Sequence, residues 1–392
     1  MNRIFILLPH KEKFSKKNSG SASIWVKDFY NLSVFKNEIS VYGSNVIKKN
    51  ATIKRIYNNI DIKNIKYQSK TSLYLKKFLN SVKKKNPQII EIHNRPNYLT
   101  TLFTVFSKIN YILIIHNDPL HLKGSQSIDE RKNLLKICAK IYFVSKWVEE
   151  KFFQGIEKNF YNNFNVMYPS INALKKMPKK ENIIVFAGKL NRSKGFPIFA
   201  EAIINILKKY KKWSALVIGD EPREKYSYKH KRITYLGWIP YEEVLKKYSK
   251  SSITVAPSQW EEPFGRSSME AGSRGNVVII SNKGGLPETI NSPILLKKIT
   301  SSCIYEEIEK LILNKKNLLR LQNDSFKNPL HLISENCKLL DKDRINILNP
   351  TKKIFLNTKA KIKILHIYNK AERMGSRIYF ISTGKKNREW IN

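Results

Sequence analysis

The sequence predicts an α/β protein of two domains. Three observations support this. The chain has 392 residues and is 42% hydrophobic, which is enough length and apolar content for two packed cores. Short apolar runs closed by proline, glycine or polar clusters are each followed by a stretch at helical spacing, the rhythm of strands alternating with crossover helices. Polar and charged residues gather just after several of these runs, at the carboxyl ends of strands, where open α/β sheets bind their ligands.

In chain order, Arg3 to Leu8 predicts the first strand. A polar loop, His10 to Ser19, leads to Gly20-Ser21, and Ile24, Trp25, Phe29 and Leu32 then fall near helical spacing. Gly20 reads either as a place where backbone approaches a ligand or as an ordinary turn glycine. Short strands are expected at Ile39–Tyr42 and Ile62–Tyr67, followed by a basic helix from Thr71 to Lys85 that Asn86-Pro87 stops. Two apolar strands then end alike: Gln88–Ile92 runs into His93-Asn94-Arg95-Pro96, and Tyr111–Ile115 runs into His116-Asn117-Asp118-Pro119. Both loops should open on one edge of the sheet. A helix from Ser127 to Lys140, a strand from Ile141 to Ser145 and a helix from Lys146 follow, and Phe164–Pro169 reads as the last strand of a first domain, residues 1–173. The polar, proline-broken run Lys175 to Lys180 has the composition of a linker.

A second domain, residues 181–329, opens with the strand Asn182–Leu190, the loop Asn191-Arg192-Ser193-Lys194-Gly195 and a helix from Phe196 to Tyr210. Lys189 and Lys194 on a glycine-bearing loop ahead of a helix suit a diphosphate. Strands are expected at Trp213–Asp220 and Ile233–Trp238, with an amphipathic helix from Tyr241 to Ser251. Trp238 fits equally a place beside a nucleobase and a packing role. The buried strand Ser252–Ser258 delivers Trp260-Glu261-Glu262-Pro263-Phe264-Gly265-Arg266, then a helix stopped by Gly275 and the strand Val277–Ile280. Glu262 and Glu270 lie eight positions apart around that helix start. The unpaired N–H groups there favour an anion, so Gly265 and Arg266 could hold a phosphate, while a carboxylate alongside binds hydroxyls. Phosphate plus polyol is what a sugar nucleotide presents. Helical stretches over 303–328 and 330–347 end before Pro350. In the tail, 350–392, Lys361–Ile367 echoes the opening strand and Gly375-Ser376 echoes Gly20-Ser21. It reads either as the truncated start of another such unit or as a simple extra strand and arm.

Composition narrows the partners. The net charge is +41, from 72 Lys and Arg against 31 Asp and Glu. Such a field attracts an anionic membrane surface, although coding bias would also scatter lysine throughout the chain. The basic residues form no aromatic-interleaved stripe and no nucleic-acid module, so no nucleic acid partner is expected. No apolar run reaches membrane-spanning length, and Ile4–Leu8 is too short for a signal-peptide core. The three cysteines, Cys138, Cys303 and Cys337, are isolated and fit a reducing cytosol. No Asp-x-Asp cluster follows an apolar strand, so no metal or other cofactor is expected.

Glu262-Pro263-Phe264-Gly265 with Met269-Glu270-Ala271 and Gly284-Gly285-Leu286-Pro287-Glu288 resembles the signature of family 4 (group 1) glycosyltransferases. His-Asn-Arg-Pro, His-Asn-Asp-Pro and Val144-Ser145-Lys146-Trp147-Val148 resemble, in the same order, the acceptor domain of bacterial enzymes that build lipopolysaccharide cores. The resemblance implies the GT-B fold, two Rossmann-like domains facing across a cleft, with the helix of 330–349 crossing back to the first. It also implies a retaining, metal-independent transfer of a sugar from a nucleoside-diphosphate sugar to an envelope glycan or glycolipid. In such an enzyme Glu262 orients the sugar and His116 contacts it; Gly20, Lys189, Lys194, Pro263, Phe264, Gly265, Arg266 and Glu270 bind the donor, Glu270 through the ribose. His93, Arg95 and Asp118 lie on the acceptor side. Two departures from the family pattern are Lys189, where arginine is usual, and Pro169-Ser170-Ile171-Asn172, where Asn-Gly-Val/Ile-Asp is common. The isolated cysteines and the basic charge together suggest a cytoplasmic protein, peripheral at the inner face of the cell membrane. Two other functions fit parts of the sequence: a nucleotide-sugar epimerase of the same architecture, and a basic nucleic-acid-binding protein.

Overall fold

The computed structural model describes residues 3–12, 14, 20–43, 57–60, 69–224, 226–327 and 329–349, and the backbone of 378–379 and 390–391. The chain forms two compact units, Met1–Tyr168 with Ser334–Asn392, and Pro169–Ile333.

The first unit is built on a seven-stranded sheet. Its strands are β1 (Ile4–Leu7), β2 (Ile39–Gly43), β3 (Tyr57–Asn59), β4 (Ile89–His93), β5 (Asn110–Ile115), β6 (Lys140–Phe143) and β7 (Phe164–Val166). They lie in the order β3-β2-β1-β4-β5-β6-β7, and each neighbouring pair is parallel. The order reverses between β1 and β4, so the loops after those strands flank the crevice where doubly wound sheets bind ligands. The helices α1 (Ser21–Leu32), α2 (Lys70–Lys85), α3 (Pro96–Val105), α4 (Ile128–Ile137) and α5 (Lys146–Phe153) join the strands. The strands expected at 39–42 and 88–92 are present, whereas the one expected at Ile62–Tyr67 lies outside the described residues, as do the repeats of the tail.

The second unit has a six-stranded parallel sheet in the order β10-β9-β8-β11-β12-β13. These strands are β8 (Ile183–Ala187), β9 (Ser214–Ile218), β10 (Ile233–Gly237), β11 (Ile253–Ala256), β12 (Val277–Ser281) and β13 (Ile294–Leu296). Its helices are α6 (Phe196–Lys209), α7 (Tyr241–Lys250), α8 (Arg266–Gly272), α9 (Ser301–Leu313) and α10 (Lys315–Lys327). The α6 sequence puts Phe196, Phe199, Ala200, Ile203, Ile206 and Leu207 on one stripe, all buried against β8, β9 and α9. Here the order reverses between β8 and β11, and the two loops that carry Lys194 and Glu262 leave those two strands.

The expected linker, Lys175 to Lys180, and the residues from Pro169 before it belong to the second unit and are tied into it by hydrogen bonds. Lys180 Nζ donates to the carbonyls of Tyr248 and Arg274, and Arg274 Nη1 donates to the Asn172 carbonyl at 3.1 Å. The last long helix, α11 (Ile333–Leu348), packs within the first unit. Its Arg344 reaches a carboxylate on the sheet itself: Nε and Nη2 donate to Glu91 at 2.7 and 2.9 Å, with both side chains almost fully buried. Asp341 receives Ser33 Oγ and the Val34 N–H, both at 2.8 Å, at the end of α1. A charge buried this deeply is tolerated only because each is paired.

Candidate functional site

In the second unit, glycines bring the two switch-point loops together. Gly195 sits at φ +74°, and a Cβ there would lie 2.0 Å from the Pro257 carbonyl oxygen, so the start of α6 lies directly on the end of β11. The N–H groups of Gln259 and Trp260 both donate to the Ser193 carbonyl, at 2.9 and 3.1 Å. Asn191 Oδ1 accepts from the Lys194 N–H and from Ser193 Oγ, each at 3.0 Å, and so shapes the turn that aims the lysine. Behind, Gly284 at φ +58° lets the Gly-Gly turn lie on the Glu262 backbone, where a Cβ would meet the carbonyl oxygen at 2.2 Å. The Gly285 N–H donates to that oxygen at 2.7 Å, and the Gly284 N–H to the Glu261 carboxylate at 2.6 Å.

This scaffold holds a charged pair. Lys194 Nζ lies 2.5 and 2.7 Å from the two oxygens of Glu262, which also accepts from Ser258 Oγ at 2.8 Å. Glu262 is buried, while the lysine side chain remains one-third exposed, so the pair faces solvent from the lysine side. Four positions on, Arg266 Nε donates to Glu270 at 3.1 Å and Nη2 to the Tyr241 hydroxyl at 3.3 Å. Burial pushes the Glu270 carboxyl above its usual range, and the adjacent Arg266 opposes that shift. Lys189 is exposed, near enough to Glu221 for its charge to help hold that carboxyl down. Gly265, at φ +111°, opens the seven-residue α8. Pro263 is half-buried, and the Phe264 side chain is buried with its ring 5.6 Å from that of His331, so it anchors the loop and leaves only backbone for a ligand.

In the first unit His116 lies just past β5, nearly buried, its N–H bonded to Asn94 Oδ1 at 3.2 Å. The facing nitrogens of His93 and His116 are 3.0 Å apart. His93 is fully buried, beneath the loop end where His116 lies nearer the surface. The cause is register. His93 pairs with Ile114, so the second His-Asn motif reaches two residues further toward the sheet edge than the first. Arg95 is half-buried at that edge and donates to the Asn94 carbonyl at 2.7 Å. Asp118 caps a short turn, accepting the Leu120 N–H at 2.9 Å and lying 3.0 Å from His121 Nδ1. Beside Gly20 the place of an anion is taken by the chain itself: Glu12 Oε1 accepts the Ser23 N–H at 3.0 Å, and a Cβ on Gly20 would strike that carboxylate.

The sequence reading missed Ser258, Asn191, Tyr241 and Glu12. Ser258 closes the predicted strand and lies four residues before Glu262, which is the only sequence sign of its role. Tyr241 gave none, because 25 residues separate it from Arg266. Among the described residues no group of three His, Cys, Asp or Glu side chains stands close enough to hold a metal ion. No described helix is long and apolar enough to cross a membrane.

Residues 170–327 match the family model described as glycosyl transferases group 1. A Klebsiella pneumoniae protein, an uncharacterized 42.6 kDa protein in the cps region, is 25% identical over 276 residues, covering 63% of this chain and 69% of that protein. Among solved structures, Anabaena Alr3699/HepE in complex with UDP and glucose has a TM-score of 0.68 at 14% identity, covering 87% of this chain and 99% of that one. WaaG, a glycosyltransferase involved in lipopolysaccharide biosynthesis, has a TM-score of 0.62 at 10% identity, over 86% of this chain and 98% of its own. At such identities the structural likeness speaks for the fold. The second unit thus carries the mark of the group 1 glycosyl transferases, and the chain is a glycosyltransferase (EC 2.4) of the two-domain α/β GT-B fold.

Proposed function

We propose that the protein is a retaining glycosyltransferase that moves a sugar from a nucleoside-diphosphate sugar to an envelope glycan or glycolipid, without a metal. The observation that carries this reading is the Lys194–Glu262 pair at the switch point of the second sheet, inside the family-matched segment. A cation and a buried carboxylate held side by side suit the two halves of such a donor. Lys194, with Lys189 and Arg266 as further cations, neutralises the departing diphosphate, and Glu262 accepts hydrogen bonds from sugar hydroxyls. Backbone of Pro263, Phe264 and Gly265 lines the donor, and Glu270 takes the ribose hydroxyls. His116 is assigned to the transferred sugar, and Arg95 and Asp118 to the acceptor. The UDP and glucose bound by HepE support a nucleotide-sugar donor, and the lipopolysaccharide role of WaaG and the cps-region relative support an envelope acceptor. The charge of +41 supports attachment at an anionic membrane face.

The test is a thermal-shift screen of UDP-, GDP- and ADP-sugars, followed by product analysis with envelope glycolipids. One donor should raise the transition, and free nucleoside diphosphate should accumulate only when an acceptor is present. Stabilisation by no donor, together with no product, would remove the proposal. Release of nucleotide without any acceptor would point instead to hydrolysis, and a changed sugar still joined to its nucleotide would point to epimerisation.

A further inference from the structure

Two histidines at the edge of the first sheet share one hydrogen bond. His93 Nδ1 and His116 Nε2 are 3.0 Å apart, with ring planes 25° from parallel and centroids 5.2 Å apart. Trp25 of α1 closes on both rings edge-on, at 5.2 and 6.2 Å. At that distance one proton lies between the facing nitrogens, since two lone pairs repel and two N–H groups collide. His93 is neutral near pH 7: burial, then the His116 ring, then the Arg344 guanidinium hold its imidazole well below the usual range. A neutral His93 has a single proton to place. Were it on Nε2, an N–H would be buried with no hydrogen-bond partner among the described residues. On Nδ1 it is used, and Nε2 keeps only a lone pair. Orphaned buried N–H groups are the rarer of the two defects.

We propose that His93 donates its Nδ1 proton to His116 Nε2 and thereby fixes His116 as the Nδ1–H tautomer, a hydrogen-bond donor toward its ligand and not a general base. The consequence for transfer rests on reading His116 as the residue that meets the sugar. His93 itself is a positioning residue. With Nε2 engaged, His116 grips a sugar oxygen by donating to it and takes no proton from an attacking hydroxyl.

The deciding measurement is long-range ¹H–¹⁵N NMR on the full chain labelled at its seven histidines, with His116 assigned by the signals lost in His116→Gln. The expected result is a His116 ring protonated on Nδ1 and bare on Nε2. A ring protonated on Nε2 overturns the proposal. In transfer assays His93→Phe, which keeps a flat ring and removes the donor, should lose about 10- to 100-fold in kcat with donor KM unchanged. His93→Asn, whose amide can still donate, should recover most of that loss; equal loss in both variants would mean packing alone and would sink the idea. If the wild-type chain moves no sugar, the transferase reading of His116 fails, while the NMR result still decides the tautomer.

Discussion

Lys194→Met tests the pair at the switch point, because the variant keeps the length of the side chain and removes its charge. Two effects follow. In catalysis, the departing diphosphate loses a cation held on a short, glycine-pinned loop, and a preorganised charge of that kind is worth about 2.7–4 kcal/mol, or 10² to 10³ in kcat. In folding, Glu262 keeps its hydrogen bond from Ser258 Oγ at 2.8 Å but loses the cation beside it. Removing one member of a fully buried pair costs about 3–5 kcal/mol. The Lys194 and Glu262 side chains are 33% and 10% exposed, so water takes over part of the lost interaction. The expected cost is therefore nearer about 1–2 kcal/mol. The two effects separate in the double variant Lys194→Met/Glu262→Gln. With no lone carboxylate to bury, it should regain most of the stability and none of the turnover. The assay is nucleoside diphosphate release under saturating donor and acceptor, alongside urea unfolding. Turnover of the single variant within about threefold of wild type, far short of the loss expected of such a charge, would refute the reasoning. So would a double variant that recovers activity together with stability.

Three further outcomes are expected. Gly195→Ala should disable the same loop, since φ is +74° and the new methyl would lie 2.0 Å from the Pro257 oxygen; donor binding should weaken while the far-ultraviolet spectrum is kept, and unchanged binding would contradict the account. Burial, helped by the Arg274 charge, brings the Lys180 ammonium down to about 7. Between about pH 7 and 10 the unfolded chain then binds a proton that the native one does not, so stability rises with pH by up to about 1.4 kcal/mol per unit and this gain is absent below that window. Lys180→Met should flatten that rise in denaturation curves taken at pH 7, 8 and 9. Glu91→Gln leaves the buried Arg344 guanidinium with Asp341 as its one carboxylate among the described residues, beside Ser33 Oγ, and should cost about 3–5 kcal/mol, whereas Glu91→Leu/Arg344→Met should be far milder. Equal losses in those two variants would show that the ion pair is not what stabilises this contact.

Much of this architecture was legible because strand ends were well punctuated. Ile253–Ala256 stops at Pro257, Ile183–Ala187 stops at Gly188, and the helix before Gly275 ends where a left-handed residue is needed. Periodicity placed Phe196–Lys209 as a helix to within a residue. The expected loops leave adjacent strands, but residue chemistry alone assigns Lys194 to a phosphate and Glu262 to a sugar. It could not say that residues 68 apart would bond to each other in the free protein. The two His-Asn motifs looked equivalent, and register made them different: β4 and β5 pair so that His93 stays under Trp25 while His116 reaches the edge. Alternation along β4 also turns Glu91 to the same face as His93, where α11 supplies Arg344. A buried glutamate in an apolar strand was therefore a readable signal for a distant cation, although not for which one. Lys180 reads as part of a linker because composition records charge and not the carbonyls that fold around it.

The most direct measurement of the central claim is calorimetric titration of the full chain with UDP, GDP and ADP, repeated on Lys194→Met. Saturable binding of one nucleoside diphosphate, weakened about tenfold or more by loss of the lysine charge, is the predicted result. Equal affinity in both proteins, or no binding of any of the three, would contradict a diphosphate site on the loops after β8 and β11.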